Sequence, residues 1–245
     1  MTLGDFSKQA AAYVARPGYP GPLIDRLIAQ VGVGPGDQVA DVGAGTGIFT
    51  AALAERGLRV IAVEPGAAMR DQALGHPAVT WQAGSFEEPG LVDGSMRWIT
   101  AAQAFHWADP PRALPALARA LGDGGHLTCL WNNRCNDDSD VLRAVMATIQ
   151  GLVPAFDEHY RERDWAEVIA GDWFEPTTID EERHTIVMTR DRFRSLWRSH
   201  NLLAETAGAQ LAEVLAAIDD VTAGHEVLAV PYLTRAWTAR VRPSR

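Results

Sequence analysis

The stretch Asp41-Val42-Gly43-Ala44-Gly45-Thr46-Gly47 carries three glycines at alternate positions, with an acid two residues before the first. Gln38-Val39-Ala40-Asp41 leads in as a short strand. Ile48-Phe49-Thr50-Ala51-Ala52-Leu53-Ala54 leads out as a helix. A strand, a glycine-rich turn and a helix let backbone approach a bound cofactor closely, and the helix start leaves N–H groups facing the same spot. A second acid, Glu64, closes the next strand, Val60-Ile61-Ala62-Val63. An acidic side chain there suits the two hydroxyls of a ribose. A dinucleotide fingerprint would need its third glycine at position 48, which is Ile48. An acid beside the turn would repel a pyrophosphate; it suits a cofactor with a cationic amino-acid end. The competing reading is a tight strand-to-helix turn in some other α/β protein.

The pattern Asp41-x-Gly43-x-Gly45-x-Gly47 resembles motif I of the class I S-adenosylmethionine-dependent methyltransferases. Three further segments resemble a subgroup that includes the trans-aconitate methyltransferase-like proteins, also described as methyltransferase type 11. They are Phe6 to Pro20, Ala102-Gln103-Ala104-Phe105-His106-Trp107, and Trp131-Asn132-x-Arg134. The likeness spans nearly the whole chain but is dense only in these parts.

The resemblance implies S-adenosyl-L-methionine as cofactor and a set of site residues. Glu64 would hold the ribose, and Asp41 with the turn residues Gly43, Ala44 and Gly45 the amino-acid end. Tyr13 and Arg16 would reach the cofactor carboxylate, for which a planar guanidinium fork is well suited. Pro65 and Ala102 complete the cofactor set. Phe86 and Met69 would flank the adenine, although Met69 reads equally as helix core. An Asp often accepts from the adenine amine after the third strand; this chain has Gly84-Ser85, which leaves Ser85 or backbone to do so. Tyr19, His106, Trp107, Trp131, Asn132 and Arg134 form the expected substrate side. His106 has the right ordinary pKa for a general base, or it orders its loop. Trp107 reads as wall, and Asn132 to Arg134 as substrate contacts or as a turn.

Composition narrows the partners. The chain has 245 residues, 47% of them hydrophobic, and a formal net charge of −9. No basic cluster is present to neutralise phosphates, which argues against a nucleic-acid acceptor. No apolar run reaches the roughly 18 residues of a membrane span, and no secretory signal is visible. Cys129 and Cys135 make no disulfide framework, so a cytoplasmic, reduced setting is expected. His-x-x-x-His and His-Glu-x-x-His pairs, a Gly-x-Ser-x-Gly elbow and a P-loop lysine are all missing. No metal is expected.

The supporting elements follow the same logic. Leu23, Ile24, Leu27 and Val31 recur at helical spacing after Pro22. Strands are expected at 38–42, 59–63, 79–83, 97–101, 126–131, 182–189 and 225–241, with Pro231 interrupting the last. Asp123-Gly124-Gly125 reads as the turn before the fifth strand. The expected fold is a single α/β domain over 1–245. It has a Rossmann-like, seven-stranded, mostly parallel sheet with an antiparallel last strand and helices on both faces. An N-terminal lid (1–20) and a helical insertion near the substrate mouth (136–175) complete it. Tyr160, Trp165, Trp173 and Phe174 in the insertion read mostly as packing. The expected function is methyl transfer to oxygen or nitrogen of a small molecule of secondary metabolism, giving S-adenosylhomocysteine. The alternative is another reaction on the same fold, such as a cyclisation, or non-enzymatic sensing of the cofactor. Oligomeric state is not written in the sequence.

Overall fold

The computed structural model describes residues 16–73, 75–158 and 163–243. Helix α1 (Gly21–Val31) carries Pro22 in its first turn, where a missing N–H costs nothing. It buries Leu23, Ile24, Leu27 and Val31, and Gly32 ends it in the left-handed conformation. Then β1 (Gln38–Val42), α2 (Ile48–Ala54), β2 (Arg59–Val63), α3 (Ala67–Asp71) and β3 (Val79–Gln82) alternate. β4 (Met96–Ala102) leads through a single 3₁₀ turn, Phe105–Trp107, into α4 (Pro110–Ala120) and β5 (Leu121–Arg134). After these come α5 (Asp140–Leu152), α6 (Ala166–Ile169), β6 (Thr178–Thr189), α7 (Arg190–Arg198), α8 (Asn201–Ala207), α9 (Leu211–Val221) and β7 (Val227–Arg240).

The seven strands form one sheet in the order β3-β2-β1-β4-β5-β7-β6. β1 to β5 run parallel, and β7 is inserted antiparallel between β5 and β6. The sheet order reverses at β1, where β2 lies on one side and β4 on the other. That is the switch point at which such sheets bind ligands. Pro231 sits inside β7, one position past the end of its pairing with β5. Its C=O accepts from the Cys135 N–H, one residue beyond the end of β5. The missing N–H lies on that same side, at the end of the β5 pairing rather than within it.

The expected turn at Asp123 to Gly125 is instead a bulge inside β5. Met96 pairs with Leu121, the register then shifts, and Trp98 pairs with His126. Gly124 takes φ +77 there. Trp98, Thr128 and Thr238, buried on neighbouring strands, satisfy one another across the sheet. The Trp98 indole N–H donates to the Thr128 hydroxyl, which also bonds Thr238 Oγ1.

The helical insertion differs from the sequence expectation. α5 does lie within 136–175, but Leu142, Val145 and Ile149 pack in one cluster with Phe193, Trp197, Leu203, Val214 and Ile218. The helical unit is therefore assembled from both sides of β6. Trp165 and Phe174, in contrast, belong to the central sheet core with Trp131 and Trp237. Tyr160 lies outside the described residues. Among those residues no helix is long and apolar enough to cross a membrane. No group of three or more His, Cys, Asp or Glu able to hold a metal occurs among them either.

Candidate active site

A cavity of about 270 Å³ opens at the carboxyl ends of β1, β2 and β4. The glycine turn forms its floor. Gly43, Gly45 and Gly47 all take positive φ, +74, +58 and +89, which side-chain-bearing residues seldom adopt. At Gly43 space is equally decisive: a Cβ would meet Ala104 Cβ at 2.6 Å and Phe86 Cζ at 3.0 Å.

Glu64, 8% exposed, lines the cavity at the end of β2. Its Oε2 accepts from the Gly45 N–H at 2.9 Å and its Oε1 from the Gly66 N–H at 2.8 Å. Burial raises its pKa above the ordinary carboxylate value, against the pull of those two amides and of Arg70. Each oxygen keeps a further lone pair for a ligand. Pro65 and Met69 follow along the same wall, and Ser85 and Phe86 face them from the loop after β3. Phe86 meets Phe105 edge to face at 5.3 Å, which fixes its ring. Ala102 and Trp107 come from the β4 side, and Arg16 and Tyr19 from the N-terminal segment. The sequence-expected residues Arg16, Tyr19, Gly43, Ala44, Gly45, Glu64, Pro65, Met69, Ser85, Phe86, Ala102 and Trp107 are thus brought to one cavity. Tyr13 lies outside the described residues.

Three expected site residues line neither this cavity nor the smaller one beside it. Asp41 lies fully buried below the turn, where Oδ2 accepts from Thr50 Oγ1 at 2.6 Å and Oδ1 from Thr100 Oγ1 at 2.8 Å. Burial pushes its pKa up to about 6, the Glu64 charge adds to the rise, and the two hydroxyls oppose it. His106 is not among the lining residues: the 3₁₀ turn buries Phe105 and brings Trp107 to the cavity. The His106 ring lies 4.9 Å from that of Trp107 and 6.5 Å from that of Trp131. Trp131 is core: it stacks on Trp165 at 4.4 Å and meets Trp237 edge to face.

Asn132 and Arg134 line a smaller neighbouring cavity of about 40 Å³, together with Leu196, His200 and Tyr232. Arg134 pairs with Glu158 at 3.4 Å and lies 4.0 Å over the Trp197 ring. His200 Nε2 lies 2.7 Å from the same Glu158 Oε1, and its Nδ1 accepts from the Leu203 N–H to cap α8. The N-terminal segment is tied across both cavities. Arg16 donates to the Ser199 carbonyl, Arg192 donates to the Arg16 carbonyl, and Asn132 Nδ2 donates to the Gly18 carbonyl. Tyr19 rests edge-on against Phe49 at 4.9 Å.

Sequence reasoning missed several lining residues. Thr46, Ile48 and Phe49 follow directly from the turn and were available to the same argument. Glu87 lies two residues beyond Ser85 and accepts from the Asp109 N–H at 2.8 Å. Burial raises its pKa, but that amide, the Ser85 hydroxyl and Arg112 outweigh it, so its carboxyl sits below the ordinary value. Gln103 also lines the cavity, at the carboxyl end of β4 where the switch-point rule points.

A family model described as a methyltransferase domain matches residues 40–129, from β1 to the middle of β5. An uncharacterised methyltransferase of Mycobacterium tuberculosis is 33% identical over 236 residues, covering 87% of this chain and 93% of its own. A solved structure from Anaeromyxobacter dehalogenans, named as a candidate type II methyltransferase, is 27% identical with a TM-score of 0.71. It covers 94% of this chain and 99% of its own. The fold is also shared with phosphoethanolamine N-methyltransferase 2 of Haemonchus contortus, solved with S-adenosyl-L-methionine. That match has 18% identity and a TM-score of 0.54 over 99% of this chain and 61% of that one. The chain belongs to the class I S-adenosylmethionine-dependent methyltransferases.

Proposed function

We propose that the cavity binds S-adenosyl-L-methionine and that the chain methylates oxygen or nitrogen of a small molecule. The observation that carries this reading is the Glu64 carboxylate, held by the Gly45 and Gly66 amides on the cavity wall. That arrangement leaves acceptor capacity for a pair of ribose hydroxyls. The rest of the donor set fits the same cofactor. Met69 and Phe86 offer apolar faces to an adenine. Glu87, with its depressed pKa, takes the adenine amine in place of Ser85. Arg16 suits the cofactor carboxylate, and Gly43, Ala44, Pro65 and Ala102 let backbone and small side chains close around it. When bound, the cofactor supplies an electrophilic methyl group on its sulfonium.

The residues of this chain do the aligning, which is much of what such a transfer needs. Tyr19 and Trp107 wall the acceptor side, with Asn132 and Arg134 beyond. In this reading His106 braces Trp107 and Trp131 rather than moving a proton. The acidic net charge supports a small acceptor over a nucleic acid. No feature of the site favours the cyclisation alternative. Residues 1–20 act as the lid, and the helices around β6 flank the substrate mouth. Calorimetric titration with S-adenosylmethionine, S-adenosylhomocysteine and NAD⁺ tests the assignment. Micromolar binding of the first two is expected; binding of NAD⁺ alone would sink it.

A further inference from the structure

Gln103 has no role in the argument so far, yet three observations single it out. It is the one non-glycine residue among the described residues with a positive φ, +53. Its backbone is pinned there, with its N–H donating to the Leu130 carbonyl at 2.8 Å. It lines both cavities, so with Arg16 and Pro17 it forms the border between them.

The third observation gains weight from its neighbours. The other polar side chains at the small cavity are engaged with protein. Arg16 donates to the Ser199 carbonyl. Asn132 donates to the Gly18 carbonyl and accepts from the Thr234 hydroxyl at 3.0 Å. Arg134 and His200 both meet Glu158. The Gln103 carboxamide makes no hydrogen bond to any described residue, and it is not sealed from solvent. A left-handed backbone on a residue with a long side chain costs stability and persists where the surroundings impose it, typically at functional sites. A carboxamide offers two N–H donors and one carbonyl acceptor.

Building on the proposed function, we infer that Gln103 is the residue that positions the methyl acceptor. Its carboxamide hydrogen-bonds a polar group of the acceptor at the opening between the two cavities. The matching chemistry is a group that both donates and accepts, such as a hydroxyl or an amide, beside the atom to be methylated. The polar end of that molecule occupies the small cavity and its reacting atom faces the large one.

The test uses the whole 245-residue chain with Gln103→Leu, an apolar side chain that removes both hydrogen-bonding functions, and Gln103→Asn, which tolerates the left-handed backbone. S-adenosylhomocysteine is titrated into each, thermal unfolding is recorded, and transfer is followed from S-adenosyl-[methyl-³H]methionine to a panel of phenols, carboxamides and amines. The expected result has three parts. Gln103→Asn melts no lower than wild type. Both variants bind S-adenosylhomocysteine within about twofold of wild type. For acceptors that wild type methylates, Gln103→Leu raises KM about tenfold or more, with Gln103→Asn between the two. A melting point several degrees lower for Gln103→Asn would make the residue structural. A tenfold loss of S-adenosylhomocysteine affinity would make it a cofactor contact. Unchanged acceptor KM in Gln103→Leu would overturn the inference outright. Failure of wild type to bind S-adenosylhomocysteine would instead remove the proposed function, and this inference with it.

Discussion

The Gly45 backbone N–H donates to Glu64 Oε2 at 2.9 Å, joining the glycine turn after β1 to the end of β2. Glu64 therefore organises the floor of the cavity before any ligand arrives. A Glu64→Gln variant keeps the shape but must place an amide N–H₂ against either the Gly45 or the Gly66 N–H. That leaves buried donors facing each other, at a cost of about 1–3 kcal/mol. S-adenosylhomocysteine affinity is expected to fall about 10- to 100-fold on that ground. Calorimetry that finds wild-type affinity would take Glu64 out of the site.

Asp41 gives a pH signature. Its pKa is raised to about 6 in the fold, so between its unfolded value and about 6 the folded state holds the extra proton. Stability from this group is fully present at low pH and declines as pH rises through that window. Above it, the ionised carboxylate costs on the order of 3 kcal/mol. Asp41→Asn keeps hydrogen-bonding partners for Thr50 and Thr100 without the charge. Urea unfolding is expected to find the variant more stable than wild type at pH 7.5, with most of the gain gone at pH 4. A gain that is the same at both pH values would contradict the raised pKa.

Gly43→Ala meets two obstacles at once, a positive φ and a Cβ 2.6 Å from Ala104 Cβ. The backbone strain and overpacking together are worth about 2–4 kcal/mol. The melting temperature is expected to drop by several degrees, and cofactor binding to weaken because the turn must move. Thermal unfolding that matches wild type would mean the turn relaxes freely.

Glu87 predicts base selectivity. In the proposed site an adenine amine would donate to its carboxylate, whereas the carbonyl of hypoxanthine would face it as a second acceptor. Wild type is expected to prefer S-adenosylhomocysteine over S-inosylhomocysteine by about 10- to 100-fold. Glu87→Ala should erase most of that preference and Ser85→Ala little of it. Paired titrations that give the reverse pattern would return the role to Ser85.

The fold was largely legible because its signals are local. Alternate glycines, apolar strands of four or five residues and a terminal acid specify β1, the turn and β2 without help from distant sequence. Glu64 was readable for the same reason. What the sequence left open depends on contacts between remote positions. Asp41 looks like a ligand-facing acid until Thr100 closes on it from β4. Trp131 looks like a strand-end substrate contact until Trp165, which arrives beyond α5, stacks on it. His106 and Trp107 are adjacent, and only the 3₁₀ turn decides which of them reaches the cavity. The helical unit escaped recognition as one body because β6 divides its sequence.

Asn132 donates to Gly18 while accepting from Thr234, so a residue near the start of the chain is held in place through one near its end. Thr234 lies opposite Asn132 in the β5–β7 pairing, so the register of β7 sets how the Asn132 carboxamide meets Gly18. A slip of that register would be felt at the N-terminal wall of the large cavity, although no residue of β7 lines it.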